Sequence, residues 1–260
     1  MTTETQWIDA PESLGGTLLL SGVLKLAHDR LGKKYNVIRR AASAGMLAGH
    51  PAIEKIDYLP KGAPVLTVDR AEAGGASRAF QRLAKLFGLE LPAPETLYLP
   101  MDGVSDDLVA SMIPWQAKNV AIAPDSASPG KMMARSKWGE VAKALGDSGA
   151  LVVQLGQGGA EKVKYAYSLA GVTTPQEAVL LLKRMDLLIT SDNFLMHAAH
   201  MTGTPVISLW GSAAATMHGY AEHQAITAAE GTGGMDSIAA GEIVDRALKT
   251  LGAGRTDIKK

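Results

Sequence analysis

An acid, an amide and an imidazole stand close together between Asp192 and His197. The apolar run Leu187–Thr190 precedes them and the segment Gly203–Gly211 follows, a pattern that predicts strand, short helix, tight turn and strand. Such a unit makes the two strands parallel, with the helix crossing over them. Because ligands bind at the carboxyl ends of strands in open α/β sheets, we expect Asp192, Asn193 and His197 to contribute to a ligand site.

Each of these side chains also has a purely structural explanation. Asp192 is placed to cap the short helix. His197 lies four residues beyond Asn193 on the same helix face, where it could hydrogen-bond a neighbouring carbonyl. The sequence alone leaves both explanations open.

A second polar cluster follows the predicted strand 120–123. It contains two hydroxyls and three cations, namely Ser126, Ser128, Lys131, Arg135 and Lys137. Cations offset the charge of a diphosphate and hydroxyls donate to its oxygens, so this cluster suits a phosphorylated ligand. The alternative is an ordinary polar loop in contact with solvent.

Glycine-rich segments exclude two familiar nucleotide sites. The run Gly156–Gly159 follows a strand, but the third glycine of a dinucleotide fingerprint would fall on Glu161. Lys131 follows a glycine, but Met132 stands where a phosphate-binding loop of an ATPase requires serine or threonine.

The pair Gly15–Gly16 precedes a predicted helix. Its backbone N–H groups could approach a ligand oxygen, or the two glycines could simply form a turn.

Composition indicates a globular protein without thiol chemistry. The chain has 260 residues, of which 47% are hydrophobic and 20% charged, and it contains no cysteine.

The sequence offers one group of possible metal ligands, His218, Glu222 and His223. Their spacing fits no helical pair of metal ligands, so we expect no metal. The first five residues carry no positive charge ahead of an apolar segment, so we expect no signal peptide. The apolar stretch 14–27 is too short to span a bilayer. We expect a cytoplasmic protein without stable membrane insertion, and attachment at the inner membrane face stays open.

The net charge of zero argues against general affinity for nucleic acid, but one segment is strongly basic. Between Lys25 and Arg40 a single acid, Asp29, stands among six basic residues: Lys25, Arg30, Lys33, Lys34, Arg39 and Arg40. The segment is either a solvated surface or a site for an anionic or phosphorylated partner.

Strand and helix signals alternate through both halves of the chain. A buried stripe predicts a helix from Thr17 that ends at Gly32, and Thr174 with Pro175 and Glu177 predicts the start of another. The proline-rich segment 91–100 is typical of a domain edge. We therefore predict an α/β protein with two Rossmann-like domains facing across a cleft, residues 1–110 and 111–260.

With these motifs in place, the chain resembles glycosyltransferase family 9, the group of the lipopolysaccharide heptosyltransferases. The resemblance is strongest over residues 120–220. It includes Ser136–Trp138, the segment 169–174, the run 191–199 with its Asp-x-x-x-x-His spacing, and the Gly203–Pro205 turn.

The resemblance implies a GT-B fold in which the carboxyl-terminal domain binds a nucleotide sugar and the amino-terminal domain binds the acceptor. Asp192, Asn193 and His197 would contact the sugar and diphosphate of the donor. Lys137, or alternatively Lys131 or Arg135, would hold the phosphates. The regions around Gln157 and Gly171 would line the nucleoside, and no further cofactor is implied.

Two residues depart from the family pattern. Gly16 stands where the family carries a candidate catalytic aspartate, so Glu12 or Asp9 in the same loop would have to act as the base that deprotonates the acceptor. Phe194 replaces the usual glycine beside the diphosphate.

The expected activity is metal-independent, inverting transfer of a sugar from a nucleotide sugar to an acceptor hydroxyl. The acceptor would be a glycolipid or another anionic molecule, with a nucleic acid not excluded. The alternatives are a catalytically silent nucleotide-sugar binding protein and, less favoured, a nucleotide-sugar epimerase.

Overall fold

The computed structural model describes residues 5–68, 76–91, 97–126, 131–211, 219–229 and 234–252. Contacts within the chain separate two compact units, Met1–Val104 and Ser105–Lys260. Each unit contains one sheet, and every strand pair in both sheets is parallel. Parallel strands require crossover connections, which the helices provide.

The amino-terminal unit has a four-stranded sheet with the order β3-β2-β1-β4. Its strands are β1 (Trp7–Asp9), β2 (Tyr35–Ile38), β3 (Ile53–Asp57) and β4 (Val65–Thr67), and its helices are α1 (Leu14–Leu31), α2 (Ala41–Met46) and α3 (Ala76–Leu86). The predicted stripe of α1 is buried at Leu20, Val23, Leu24 and Ala27, whereas Leu31 is exposed.

The start of α1 corrects the sequence prediction, because the helix begins at Leu14 and not at Thr17. Ser13 caps it by accepting a hydrogen bond from the Gly16 N–H at 3.1 Å. Gly15 and Gly16 therefore belong to the first helical turn. The sequence predicts a loop at these two residues because glycine destabilises helix interiors, but tertiary contacts override that tendency here.

The carboxyl-terminal unit has a six-stranded sheet with the order β10-β9-β8-β5-β6-β7. Its strands are β5 (Asn119–Ala123), β6 (Leu151–Gln154), β7 (Tyr167–Ser168), β8 (Leu187–Thr190), β9 (Val206–Trp210) and β10 (Gln224–Thr227). Its helices are α4 (Asp106–Ser111), α5 (Arg135–Asp147), α6 (Pro175–Arg184), α7 (Phe194–Thr202) and α8 (Ala240–Gly252), with a short 3-10 helix at Gly234–Ser237.

Helix α5 anchors the core of this unit. Trp138, Val141 and Leu145 lie on one face of the helix and are fully buried against Val120 and Ile122 of β5. Burying each side chain of this size contributes about 1.5–3 kcal/mol to the stability of the fold. These contacts therefore hold α5 firmly against β5. Contacts place α4 in this unit, where Asp106 pairs with Arg184 of α6 at 2.5 Å.

Candidate functional site

The strand order of the larger sheet creates a switch point. From β5 the chain continues outward to β6 and β7, and it then returns to β8 on the opposite side of β5. Ser126 follows β5 and Asp192 follows β8, so both lie where neighbouring parallel strands end. This crevice at the carboxyl ends is the general ligand-binding position of open α/β sheets.

Asn193, and not Asp192, caps helix α7. Its Oδ1 accepts hydrogen bonds from the N–H groups of Leu195 at 2.9 Å and Met196 at 3.4 Å. Its Nδ2 donates to the carbonyl of Asp125 at 2.9 Å. The side chain thus joins the start of α7 to the loop after β5, which is a positioning role.

Asp192 is bound by the loop after β5. Lys131 Nζ lies 2.6 Å from Asp192 Oδ2, and Ser126 Oγ donates to the Asp192 carbonyl at 3.3 Å. Because the Lys131 side chain is 48% exposed, the ion pair contributes only about 0.2–1 kcal/mol. An anionic ligand can therefore replace the carboxylate as the partner of Lys131 at little cost.

Arg135 at the start of α5 has an unused donor. One Nη of its guanidinium pairs with the Asp125 carboxylate, while the other, Nη1, is buried without a hydrogen-bond partner among the described residues. The Asp125 Oδ2 and Ser191 Oγ atoms are buried in the same unpartnered state. An unsatisfied buried polar group costs about 1–3 kcal/mol, so a ligand oxygen at Arg135 Nη1 would relieve a penalty that the protein otherwise carries.

Lys137 occupies a different position from the one expected. Its ammonium group donates to the carbonyls of Asp236 and Ile238, the latter at 2.9 Å. These contacts tie α5 to the 3-10 helix, so among the three predicted cations the geometry favours Lys131 and Arg135 as phosphate ligands. The predicted Ser128 lies outside the described residues.

His197 is buried and hydrogen-bonded to a tyrosine that the sequence analysis missed. The Tyr220 hydroxyl lies 2.8 Å from His197 Nδ1, and burial raises the pKa of Tyr220 above its ordinary value. The hydroxyl therefore stays protonated, and it donates to Nδ1 or accepts from Nδ1–H according to the tautomer of His197. Tyr220 stands at the end of the family-like region, 23 residues beyond His197, and only the fold brings the two together.

The predicted nucleoside region is a close crossing of two backbones. Gly171 has a φ of +73°, and a Cβ there would lie 2.6 Å from the Gly158 Cα atom. Its N–H donates to the Gly156 carbonyl at 2.9 Å, and Gln157 between these glycines is exposed. Gly171 is thus required by packing, while Gln157 is available to a ligand.

The amino-terminal unit places both candidate bases beside one arginine. Arg40 binds the two oxygens of Asp9 at 2.8 and 2.9 Å, and Glu12 Oε1 lies 3.4 Å from its Nη1. The hydrogen bond with Asp9 raises the pKa of Arg40. Both Asp9 oxygens are engaged, whereas the Glu12 side chain is 84% exposed and holds a single long contact.

Comparison with known proteins then decides the family. The family model described as glycosyltransferase family 9 (heptosyltransferase) matches residues 76–232, which is more than half of the chain. The chain belongs to glycosyltransferase family 9. It is therefore a glycosyltransferase, as the sequence resemblance predicted. A search of curated protein sequences gave no significant match.

Solved structures confirm the predicted GT-B-like α/β fold. The E. coli ADP-heptose LPS heptosyltransferase II superposes with a TM-score of 0.70 at 17% identity, covering 96% of this chain and 99% of that one. A family 9 glycosyltransferase from Veillonella parvula gives 0.73 at 14% identity, covering 97% and 98%. E. coli heptosyltransferase WaaC with ADP-2-deoxy-2-fluoro heptose gives 0.63 at 14%, covering 95% and 99%.

Gly16, the departure from the family 9 pattern, has a local cause. A Cβ at this position would lie 2.8 Å from Pro11 Cβ and 2.9 Å from Ser13 Oγ. Thr17 Oγ1 donates to the Pro11 carbonyl at 3.0 Å and holds the loop in that position. The loop therefore occupies the space that a side chain at residue 16 would need.

Phe194, the other departure from family 9, is the first residue of α7. Its side chain is partly buried, and it directly follows the capping residue Asn193. It therefore stands at the helix end that would face a diphosphate.

The basic segment of this family 9 protein is not one continuous surface. Lys33 and Lys34 precede β2, whereas Arg39 and Arg40 follow it, so the two pairs lie at opposite ends of a strand about 13 Å long. Lys25 is paired with Asp29 at 2.5 Å. Only Arg39 and Arg40 share the sheet end of Asp9.

Within the described residues, no helix is both long enough and apolar enough to cross a bilayer.

Proposed function

We propose that this protein transfers a sugar from a nucleotide-sugar donor to an acceptor hydroxyl, with the donor bound at the β5/β8 switch point. The observation that carries the proposal is the buried Arg135 Nη1, which has no partner in the described parts of the chain, beside the exchangeable ion pair of Lys131 and Asp192. Two cations and the amino terminus of α7 would then balance the charge of a diphosphate.

The leaving group sets the chemical requirement. Departure of a nucleoside diphosphate leaves negative charge on the phosphates, and fixed cations and helix dipoles stabilise that charge as it develops. In our proposal Lys131 and Arg135 provide this stabilisation without a metal at the diphosphate. If Tyr220 donates to His197 Nδ1, as we propose, the Nε2–H of His197 would donate to the nucleotide sugar. The freed Asp192 carboxylate would accept hydrogen bonds from the sugar.

The family points to an ADP-linked heptose as the donor to test first. WaaC was solved with ADP-2-deoxy-2-fluoro heptose, and heptosyltransferase II is described as an ADP-heptose enzyme. We extend that donor class to this chain as a proposal. Gln157, exposed beside the Gly156–Gly171 crossing, is our candidate contact to the nucleoside.

For the acceptor side we propose Glu12 as the general base. Asp9 is held on both oxygens by Arg40, so it is better placed to fix the arginine than to take a proton. Glu12 shares that arginine through one contact of 3.4 Å and is otherwise exposed. Direct attack of the activated hydroxyl on the anomeric carbon would invert its configuration. Arg39 and Arg40 would attract an anionic group of the acceptor.

Donor binding is tested with Lys131→Ala and Arg135→Ala. Removing a cation that contacts the diphosphate should weaken ADP-heptose binding about 10- to 100-fold, measured by calorimetry, because charged hydrogen bonds contribute about 1.5–3 kcal/mol. Lys143→Ala is the matched control, since it breaks an ion pair of the same 2.6 Å length on α5. Equal affinity in all three variants would disprove the donor site.

The base is tested with Glu12→Gln, which should lower kcat about 10²- to 10⁴-fold and leave donor affinity unchanged. Glu54→Gln, at an exposed position in the same unit, serves as the control. If the wild-type protein binds the donor but transfers the sugar to no glycolipid, nucleic acid or water, the silent nucleotide-sugar binding protein replaces our proposal. An isomerised donor would indicate the epimerase.

A further inference from the structure

A cluster of three potential metal ligands lies beyond the proposed donor site. His200 of α7 and Glu222 and His223 of the loop before β10 each place one ligand atom within 4.8 Å of the others. The sequence spacing of His218, Glu222 and His223 gave no helical ligand pair, and His218 is outside the described residues. The fold instead supplies His200, which precedes Glu222 by 22 residues.

His223 is the unusual member of the cluster. Its side chain is only 2% exposed, and both ring nitrogens are buried without a hydrogen-bond partner in the described parts of the chain. A neutral imidazole offers a metal ion the lone pair of one ring nitrogen. Buried histidines ordinarily have a hydrogen-bond partner for at least one ring nitrogen. The Nε2 atom of His223 lies 3.9 Å from Glu222 Oε1, which is too far for a hydrogen bond.

Glu222 and His200 supply the remaining ligands. His200 Nδ1 is in direct contact with Glu222 Oε1. The Glu222 side chain is 56% exposed, so it has room to turn towards an ion.

We propose that His200, Glu222 and His223 bind a divalent transition-metal ion, with zinc as the fitting member of that class. Two imidazoles and one carboxylate are a known zinc set that leaves a fourth position for water. Ligand atoms around tetrahedral zinc lie about 3.3 Å apart, so the widest pair of the cluster has to approach by at most about 1.5 Å. Magnesium and calcium prefer all-oxygen sites and do not suit two imidazoles.

The bound ion joins α7 to the loop that carries Tyr220. The Tyr220 ring stacks on His200 with centroids 3.8 Å apart, and its hydroxyl contacts His197. A metal at this cluster thus fixes Tyr220, the partner of His197. The site itself does not depend on the proposed donor chemistry.

The test is zinc binding by the full chain. Metal-free protein is titrated with Zn²⁺ by calorimetry, and thermal melts are recorded with Zn²⁺ and with EDTA. We expect about one equivalent to bind, and Zn²⁺ at a hundred times its Kd to raise the Tm of the carboxyl-terminal unit by about 5–10 °C. His223→Gln should weaken binding more than about 100-fold, since even an outer-shell substitution costs 10- to 100-fold.

Two further variants keep the test decisive. Glu222→Gln changes a largely exposed residue and should show the same loss if His223→Gln fails to fold, while His28→Gln in the other unit should bind zinc normally. Zinc affinity unchanged in both cluster variants, or no binding by the wild type at millimolar Zn²⁺, would overturn the proposal. ADP-heptose affinity, measured separately in EDTA, reports the donor site and is not the criterion here.

Discussion

Replacing Tyr220 by phenylalanine removes a single hydroxyl at the back of the proposed donor site. That hydroxyl lies 2.8 Å from His197 Nδ1, and both side chains are buried. Burial raises the pKa of Tyr220, so the hydroxyl stays protonated throughout the neutral range. Its loss takes away the hydrogen bond to His197 Nδ1, which in our proposal places the imidazole proton on Nε2.

The magnitude follows from burial. Removing one partner of a buried hydrogen bond costs about 1–3 kcal/mol, and each kcal/mol lowers the Tm of a unit of this size by about 2–4 °C. We therefore expect the carboxyl-terminal unit of Tyr220→Phe to melt about 2–12 °C lower. If half of the same energy is lost from donor binding, ADP-heptose affinity falls roughly 2- to 15-fold.

Scanning calorimetry and ligand titration measure these two effects. Tyr35→Phe is the matched control, because Tyr35 is also buried but belongs to the amino-terminal unit. It should leave donor affinity unchanged. A Tyr220→Phe protein with wild-type Tm and wild-type donor Kd would refute the role assigned to this hydroxyl.

Three further outcomes follow from particular contacts. His50 Nδ1 accepts a hydrogen bond from the Ala52 N–H at 3.1 Å, and burial lowers the pKa of His50 to about 4. The stability that the neutral ring contributes above pH 6.5 is therefore lost as the pH falls towards 4, by about 3 kcal/mol. In urea melts across that range, the free energy of unfolding of His50→Gln should depend less on pH than that of the wild type. Gly171→Ala places a Cβ 2.6 Å from Gly158 Cα at a positive φ and should lower the urea midpoint, equivalent to more than about 1 kcal/mol. Gly16→Asp restores the family carboxylate but meets Pro11, so we expect lower stability and no gain in kcat; a higher kcat at unchanged stability would contradict this.

The repeating strand and helix pattern was predictable because buried parallel strands and capped helices have strong local signals. Thr174 accepts from the Glu177 N–H and Pro175 begins α6, as predicted. The edge strands β3, β7 and β10 were not predicted. β3 has three exposed residues out of five, so it lacks the apolar run that identifies a buried strand.

The side chains of the site were harder to predict than the strands that carry them. The sequence placed Lys131 and Lys137 in one polar cluster, and the family resemblance put Lys137 first as the phosphate ligand. Their partners lie far along the chain, Asp192 for Lys131 and the carbonyls of Asp236 and Ile238 for Lys137. Local spacing contains no information about such partners, so the distinction needed the fold.

The glycine at position 16 and the position of the loop before α1 depend on each other. Pro11 packs where a side chain at residue 16 would extend, and Thr17 Oγ1 holds the Pro11 carbonyl at 3.0 Å. Glycine at position 16 and the position of this loop are therefore one structural feature. The same loop carries Glu12 next to Pro11, with Arg40 3.4 Å away. In our proposal the base stands on this loop and not at residue 16 of the helix. We therefore expect the reactive hydroxyl of the acceptor to lie at a different distance from an anionic group bound by Arg39 and Arg40 than it would with a base at residue 16.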